Sequence, residues 1–542
     1  MSTNAASQNS AKQLPTLDAA GLEHKKIAGN AAIVAVGTLA SRLLGLVRDQ
    51  VIAAVFVRAA TDSFFVAFTI PNVLRQLVAE GAVQNAVLPV LEGVRERQGE
   101  SAARRLFATL RGFSLLVLIA ITALGVVLAP QLVHLFAGGY RQIPGQFERT
   151  VTLTRWLFPY IFFMGTAALG VAALNVCRRF IVTSFAPGLL NVAFIVGGLT
   201  MPVWLSQRHL DAVLALAFAA LVGGTMQVAA QWPSLRAVGY FGWPRLALRD
   251  PAFRETLRRM GPVLFGIGIY YIDVILARRF LSELDVGSQS YFSWAMRLCD
   301  FPQGIFVMAL QSATLPSLSR LVARGELDAV AKTFAFGMRL TLWITIAASI
   351  GAIALAEPLV TLIFQRGQFD SVAARETARA FVAQGLGIWM VAAVRQLVGV
   401  YFALGDTKTP VRVAAIDLVV FILAALFLLP RFGHVGVGLA VTIASLVQML
   451  LLWVGLSKRL PSMHTPAIVR SSLRTIAIAI VASLVARFAI HCPPVAGLAH
   501  FWGRIVPGLL GAIVYALAFL AISRWLKCDE LSMLKFGRRS AR

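Results

Sequence analysis

Apolar segments long enough to cross a bilayer recur along this chain from about residue 28 to residue 526. A helix spanning ~30 Å of hydrocarbon needs about 20 predominantly apolar residues. The runs are continuous rather than alternating, which points to helices and away from a barrel. Composition agrees: of 542 residues, 58% are hydrophobic and 14% charged, against roughly a quarter charged in soluble domains. The fold class expected is an all-α polytopic membrane protein.

Fourteen transmembrane helices are predicted, over 28–57, 61–91, 106–137, 150–177, 182–206, 210–235, 255–281, 288–317, 334–365, 371–404, 410–430, 433–457, 468–490 and 502–526. The net charge of +25 is distributed by loop. Loops after even-numbered spans are rich in Lys and Arg (Arg95, Arg97, Arg104, Arg105; Arg320, Arg324, Lys332), and those after odd-numbered spans are sparse. That alternation is the signature of membrane orientation. It places both termini in the cytoplasm and argues against a nucleic-acid partner. Residues 1–26 hold no short apolar core before a cleavage site, so no cleavable signal peptide is expected. Arg245–Arg259 is expected to form an interfacial amphipathic helix ahead of span seven.

An internal repeat organises the spans. Gln84-Asn85-Ala86-Val87-Leu88-Pro89-Val90-Leu91 ends span two, and Gln311-Ser312-Ala313-Thr314-Leu315-Pro316-Ser317-Leu318 ends span eight. Six spans separate the copies, so both run in the same direction. The expected architecture is two pseudo-symmetric six-helix halves plus two C-terminal helices. In boundaries this gives a disordered cytoplasmic tail (1–27), an N-lobe (28–240, helices 1–6), a C-lobe (241–460, the amphipathic helix plus helices 7–12), helices 13–14 (461–526) and a cytoplasmic tail (527–542).

Charges inside the apolar spans carry the functional reading. Span one holds Arg42, Arg48 and Asp49; span two holds Arg75 and Glu80, with Asp62 at the turn before it. Each such charge costs about 2.5–3.5 kcal/mol on insertion scales, and intramembrane charges usually face a wet cavity. At 1.5 Å per residue, Arg42 lies ~20 Å in from the cytoplasmic side and Arg75 ~20 Å in from the outer side. Guanidinium is permanently charged and matches phosphate oxygens bidentately. The cluster therefore points to an anion such as a diphosphate or a carboxylate. The bland alternative is that each arginine pairs with Asp49, Asp62 or Glu80 and only fixes packing.

The second half contributes Arg297, facing Arg75 across the pseudo-twofold axis or else bridged to Asp300 one turn on. Asp273 and Asp417 are isolated intramembrane carboxylates, readable as Na⁺ or H⁺ sites or as neutral carboxyls locally paired with Arg278 or Arg412. Asn72 and Asn191 are read as satisfying backbone groups freed by Pro71 and Pro187. Catalytic residues and metal sites are not expected: there is no GxSxG, P-loop, HExxH or CxxC. The four cysteines (Cys177, Cys299, Cys492, Cys528) are scattered and read as free thiols.

The stretches Ser41-Arg42-Leu43-Leu44-Gly45-Leu46-Val47-Arg48-Asp49, Thr61-Asp62-Ser63-Phe64-Phe65, Pro71-Asn72-Val73-Leu74-Arg75 and Ala79-Glu80-Gly81-Ala82 resemble the MurJ (MviN) family of lipid II flippases, in the multidrug/oligosaccharidyl-lipid/polysaccharide exporter superfamily. Phe185-Ala186-Pro187, Met260-Gly261-Pro262 and Lys408-Thr409-Pro410-Val411 extend the match down the chain. The resemblance implies a fourteen-helix transporter, not an enzyme, in the bacterial inner membrane. It implies flipping of undecaprenyl-diphosphate-linked peptidoglycan precursor, coupling to a Na⁺ or H⁺ gradient or to the membrane potential, and a partnership with cell-wall synthesis machinery. By the same resemblance Arg42, Arg48, Arg75, Arg297 and Asp62 bind substrate, with Asp49, Glu80 and Asp300 supporting, and the last two helices hold the lipid tail. The chain departs from the family pattern at Gln76, Met296 and Asp300. Three other readings stand beside this one: a flippase for another polyprenyl-diphosphate glycan, a drug or cation antiporter of the same fold, and a non-transporting scaffold that holds cell-wall enzymes together.

Overall fold

The structure is a computed structural model that describes residues 16–77, 86–496 and 500–532. Among the described residues it is entirely helical, with no strand. Helix α1 (Thr16–Val55) leads into α2 (Arg58–Arg75), α3 (Leu88–Gln98), α4 (Glu100–Val127), α5 (Ala129–Ala137), α6 (Gln146–Leu157), α7 (Tyr160–Val176), α8 (Phe180–Ser206) and α9 (Leu214–Ala237). The second half comprises α10 (Pro251–Leu281), α11 (Ser288–Pro302), α12 (Met308–Ala323), α13 (Leu327–Ala354), α14 (Ala356–Phe364), α15 (Ser371–Gly385), α16 (Ile388–Ala403), α17 (Lys408–Phe432) and α18 (His434–Ser457). Helices α19 (Thr465–His491), α20 (Pro493–Ala496) and α21 (His500–Trp525) close the chain.

Among the described residues, ten helical segments are long and apolar enough to cross a membrane. The other predicted spans (28–57, 61–91, 255–281 and 288–317) are helical over their described residues apart from Phe56 and Val57, and are the ones that carry most of the buried charges. Outward faces are apolar, as lipid contact requires: Leu423 and Leu484 are each 62% exposed. Several spans are broken where their sequence dictates. Pro130 in the first turn of α5 follows the α4 break at Leu128, and Pro159 separates α6 from α7. After Pro302 the chain winds as a π-helix over Gln303–Val307 before α12 resumes.

Two expectations are corrected. The amphipathic helix over 245–259 does not form as a unit. Residues 241–247 are irregular and exposed, and helix begins at Pro251. Asp250 accepts the N–H groups of Ala252 and Phe253, and Pro251 sits in the first turn, a strong local start signal. The residue before a proline is disfavoured in helix, so Trp243 and Asp250 both end any turn forming upstream. The segment is also held extended against α4, where Arg245 donates its backbone N–H to the Ala108 carbonyl. The second correction is at the start of the chain. Residues 16–27, read as tail, continue α1.

Close helix approach rests on small residues, the usual device where lipid offers no hydrophobic driving force. A Cβ on Gly197 of α8 would lie 2.8 Å from the Ala219 Cβ of α9. The largest apolar cluster joins the two halves. Phe64, Phe194 and Leu216 from the first pack with Trp294, Phe364 and Phe381 from the second. Phe65 and Trp294 meet edge-on with ring centres 4.6 Å apart. Helices α19 and α21 pack on each other and on α13 and α14, beside the main bundle. Glu530, past the end of α21, accepts two hydrogen bonds from Arg339 of α13 and one from Ser471 of α19, which fastens this pair to the second half.

Candidate functional site

A cavity of about 1110 Å³ lies between α1 and α8 of the first half and α11–α14 of the second. Its wall at one end is set by Val34 of α1 and Phe180 of α8, and α21 adds Ala512 and Tyr515. Four arginines line it: Arg42, Arg48, Arg297 and Arg395. Three were anticipated. Arg395 was not, although its signal is the same one, a lone cation inside the apolar run of α16.

Asp49 organises these charges. It is 2% exposed, and each carboxylate oxygen takes a different guanidinium. Arg48 donates to Oδ1 from Nε at 2.9 Å and Nη2 at 2.7 Å, and Arg297 Nε lies 2.8 Å from Oδ2. Arg297 thus pairs across the two halves with Asp49, and among the described residues no ion pair joins it to Asp300. Arg48 also donates from Nη1 to Asn191 Oδ1 at 3.1 Å, and Asn191 Nδ2 donates to the Ser41 carbonyl at 2.9 Å. Asn191 therefore fixes α8 to α1 and orients an arginine; the proline-repair role expected for it is not what its side chain does. Asp300 lines the cavity within the field of Arg297, Arg395 and Arg42. Arg42 lies against Gly304 in the π-helical turn: a Cβ there would sit 1.8 Å from Arg42 Nη1. Four guanidiniums against Asp49 and Asp300 leave two net positive charges around the cavity.

Arg75 and Asp62 do not line this cavity. Arg75 Nε donates to Asn72 Oδ1 at 2.9 Å within α2. Glu80 lies outside the described residues. Asp62 serves instead at the far end, where the halves touch. It is 1% exposed and accepts from Gly287 N (2.6 Å), Ser290 N (2.8 Å) and Ser290 Oγ (2.5 Å). A carboxylate there caps the α11 N-terminus, where backbone N–H groups and the helix dipole favour negative charge. Gly287, at φ +107°, turns the chain so that its N–H reaches Asp62, a conformation L side chains rarely adopt. Thr61 Oγ1 and Ser290 Oγ are 2.6 Å apart, and Arg58 bridges to Tyr291 and Asp370. These bonds seal the end opposite Val34 and Phe180.

The remaining carboxylates lie apart. Asp273 of α10 and Asp417 of α17 are near enough to act on each other, and each has a buried Oδ1 with no hydrogen-bond partner among the described residues. Arg278 does not pair with Asp273. It donates to Gln289 Oε1 and Ser293 Oγ at 3.0 and 2.6 Å. No group of three or more His, Cys, Asp or Glu suited to a metal occurs among the described residues, and the four cysteines are free.

A cavity with net positive charge, between two halves that meet at the Asp62 end and through the Asp49–Arg297 pair, suits an anionic ligand. Comparison with known proteins agrees. The profile of the family described as MurJ, lipid II flippase, matches residues 51–506. The chain belongs to the MurJ family of lipid II flippases. A MurJ of Burkholderia cenocepacia is 33% identical over 427 residues, covering 78% of this chain and 82% of that protein. A probable MurJ of Vibrio cholerae is 32% identical over 441 residues, 80% of this chain and 83% of that one. In fold, the chain superposes on a solved MurJ described as inward closed with a TM-score of 0.73 at 22% identity, over 91% of this chain and 99% of that one. An inward-facing MATE-family multidrug transporter follows at 0.64 and 14%, over 80% and 99%.

Proposed function

We propose that this chain flips lipid II, the undecaprenyl-diphosphate-linked peptidoglycan precursor, between the leaflets of the bacterial inner membrane. The observation that carries the reading is the arginine-lined cavity closed at its Asp62 end. A diphosphate takes bidentate contacts from guanidinium and compensates the cavity's surplus charge. The two predicted halves with fourteen spans, both termini cytoplasmic, make the Val34 end the cytoplasmic opening and the Asp62 contacts the outer gate. Helix α21, packed on α19, borders the cavity through Ala512 and Tyr515, which supports a course for the lipid tail along this pair. The Asp273–Asp417 pair, with an orphaned oxygen on each carboxylate, suits a Na⁺ or H⁺ that drives the cycle. Cell-wall synthases are the partners this activity requires on the outer face. A drug or cation antiporter of the same fold calls for an acidic cavity, which this is not.

The test is complementation of a strain depleted of its lipid II flippase. Growth and normal cell shape are expected from this chain and not from its Arg42→Lys variant at equal expression. A well-expressed wild-type chain that fails to restore growth overturns the assignment and favours another polyprenyl-diphosphate glycan as cargo.

A further inference from the structure

A second hollow, of about 700 Å³, lies on the other side of α14 from the arginine cavity, between α14, α15, α19 and α21. Arg375, Arg379, Arg487 and Arg504 line it. Arg379 shares a bond with Glu376 at 3.0 Å, and Glu357 is the carboxylate in the lining. Arg375, Arg487 and Arg504 have no ion-pair partner among the described residues. Four cations against Glu357 and Glu376 leave two positive charges. The floor between them is apolar, built from Ile353, Pro358, Ala378, Val382 and Ile490. Arg487 projects from a face of α19 that also carries Leu484 and Phe488, 62% and 77% exposed, so the hollow opens where hydrocarbon meets the interface.

Unpaired guanidiniums over an apolar floor at a membrane face match one ligand chemistry, an anionic headgroup whose tails remain in the bilayer. We propose that this hollow binds the phosphate headgroup of a membrane lipid, at the end of the molecule where Asp62 closes the main cavity. The phosphate takes Arg375, Arg487 and Arg504, and the first methylenes lie on Ile353 and Pro358. Pro507 of α21 lines the hollow and Ala512, five residues on, lines the main cavity, so the two sites are ~7.5 Å apart along one helix. Two sources present this chemistry, a bulk phosphatidylglycerol-type lipid and a polyprenyl diphosphate.

Lipid retention decides the matter. The full chain is exchanged into nanodiscs of phosphatidylcholine with a minority of phosphatidylglycerol, and lipids that survive detergent extraction are counted by native mass spectrometry. Retention of phosphatidylglycerol over phosphatidylcholine is expected. The triple variant Arg375→Gln, Arg487→Gln, Arg504→Gln should lower it at least about tenfold, the size of one charge-assisted contact. Arg366→Gln removes a neighbouring cation that bonds the Leu362 and Ile363 carbonyls and does not line the hollow, so it should leave retention unchanged. Glu357→Gln should raise retention, a gain that misfolding cannot produce. Farnesyl diphosphate, added in an Arg42→Gln background that disables the main cavity, separates the sources: displacement of phosphatidylglycerol assigns the hollow to polyprenyl diphosphates as well, and no displacement assigns it to glycerophospholipid. Equal retention by the triple variant, an equal loss in Arg366→Gln, or equal retention of phosphatidylcholine overturns the proposal. The readout needs no transport, so its failure leaves the flippase reading standing, and failed complementation leaves this site standing.

Discussion

Asp49 of α1 and Arg297 of α11 meet at 2.8 Å, and this ion pair joins the two halves of the molecule inside the cavity. Because Asp49 also holds Arg48, replacing it by Asn strands two cations against one neutral amide. Removing one partner of a fully buried pair costs about 3–5 kcal/mol; Arg297 is half exposed, so roughly 1–3 kcal/mol is expected here. Thermal unfolding of purified Asp49→Asn should show the loss, together with reduced flipping. An unchanged melting temperature would mean the pair contributes nothing to the resting state.

The cavity arginines are predicted to act by geometry as well as charge. Lysine keeps the charge and loses the planar fork. Arg42→Lys and Arg395→Ala should each lower flipping in reconstituted vesicles at least about tenfold, the equivalent of one charge-assisted bond, with the fold intact by circular dichroism. Arg75→Lys, outside the cavity, should cost less than Arg42→Lys; the reverse order would move the binding site toward α2.

Closure at the Asp62 end is predicted to be part of the transport cycle. With the Thr61 and Ser290 hydroxyls 2.6 Å apart, a Thr61→Cys, Ser290→Cys pair in a background free of other cysteines should cross-link readily. Oxidation should arrest flipping and reduction restore it. Full activity in the cross-linked protein would show that this end never opens.

For ion coupling, Asp273 and Asp417 are the residues to change. Asp417→Asn should abolish the dependence of flipping on an imposed Na⁺ or H⁺ gradient while leaving substrate binding intact. Undiminished gradient dependence in both Asp417→Asn and Asp273→Asn would remove this pair from the coupling step.

One pH effect lies in a loop. The Asp406 carboxylate accepts from Thr409 Oγ1 (2.6 Å), Thr409 N and Lys408 N and pairs with Arg459, and the Thr409 bonds hold its pKa below the ordinary carboxylate value. A depressed carboxylate stabilises the fold above its unfolded pKa of ~3.9, and that contribution fades as pH falls through the lower folded value. Asp406→Asn should cost about 1 kcal/mol at neutral pH. The gap to wild type should shrink as pH drops below ~4. A gap that widens on acidification would reverse the assignment.

The helices were legible because hydropathy acts locally: twenty apolar residues must hydrogen-bond internally wherever they sit in a bilayer. Arg42, Arg48 and Arg297 were legible for the same reason, since charge in such a run demands a wet surface. Which way a charge points was not. Arg75 obeys the same rule as Arg42, but the rotation of α2 against its neighbours directs it to Asn72. Asp49 reads as a local partner for Arg48, and only the packing of α1 on α11 makes it a bridge between halves. The failed helix at 245–259 shows that periodicity is weaker than Asp250-Pro251 as a start signal and than a backbone bond to Ala108.

Gly304 carries a final consequence. Its missing side chain leaves the space that the Arg42 guanidinium occupies, and it lies in the widened turn between α11 and α12. A turn of that kind regains ordinary pitch by rotating everything beyond it, which would swing a new surface under the guanidinium. Rewinding this one loop of backbone would re-aim a fixed positive charge, so where Arg42 points and how α11 runs on into α12 are bound together.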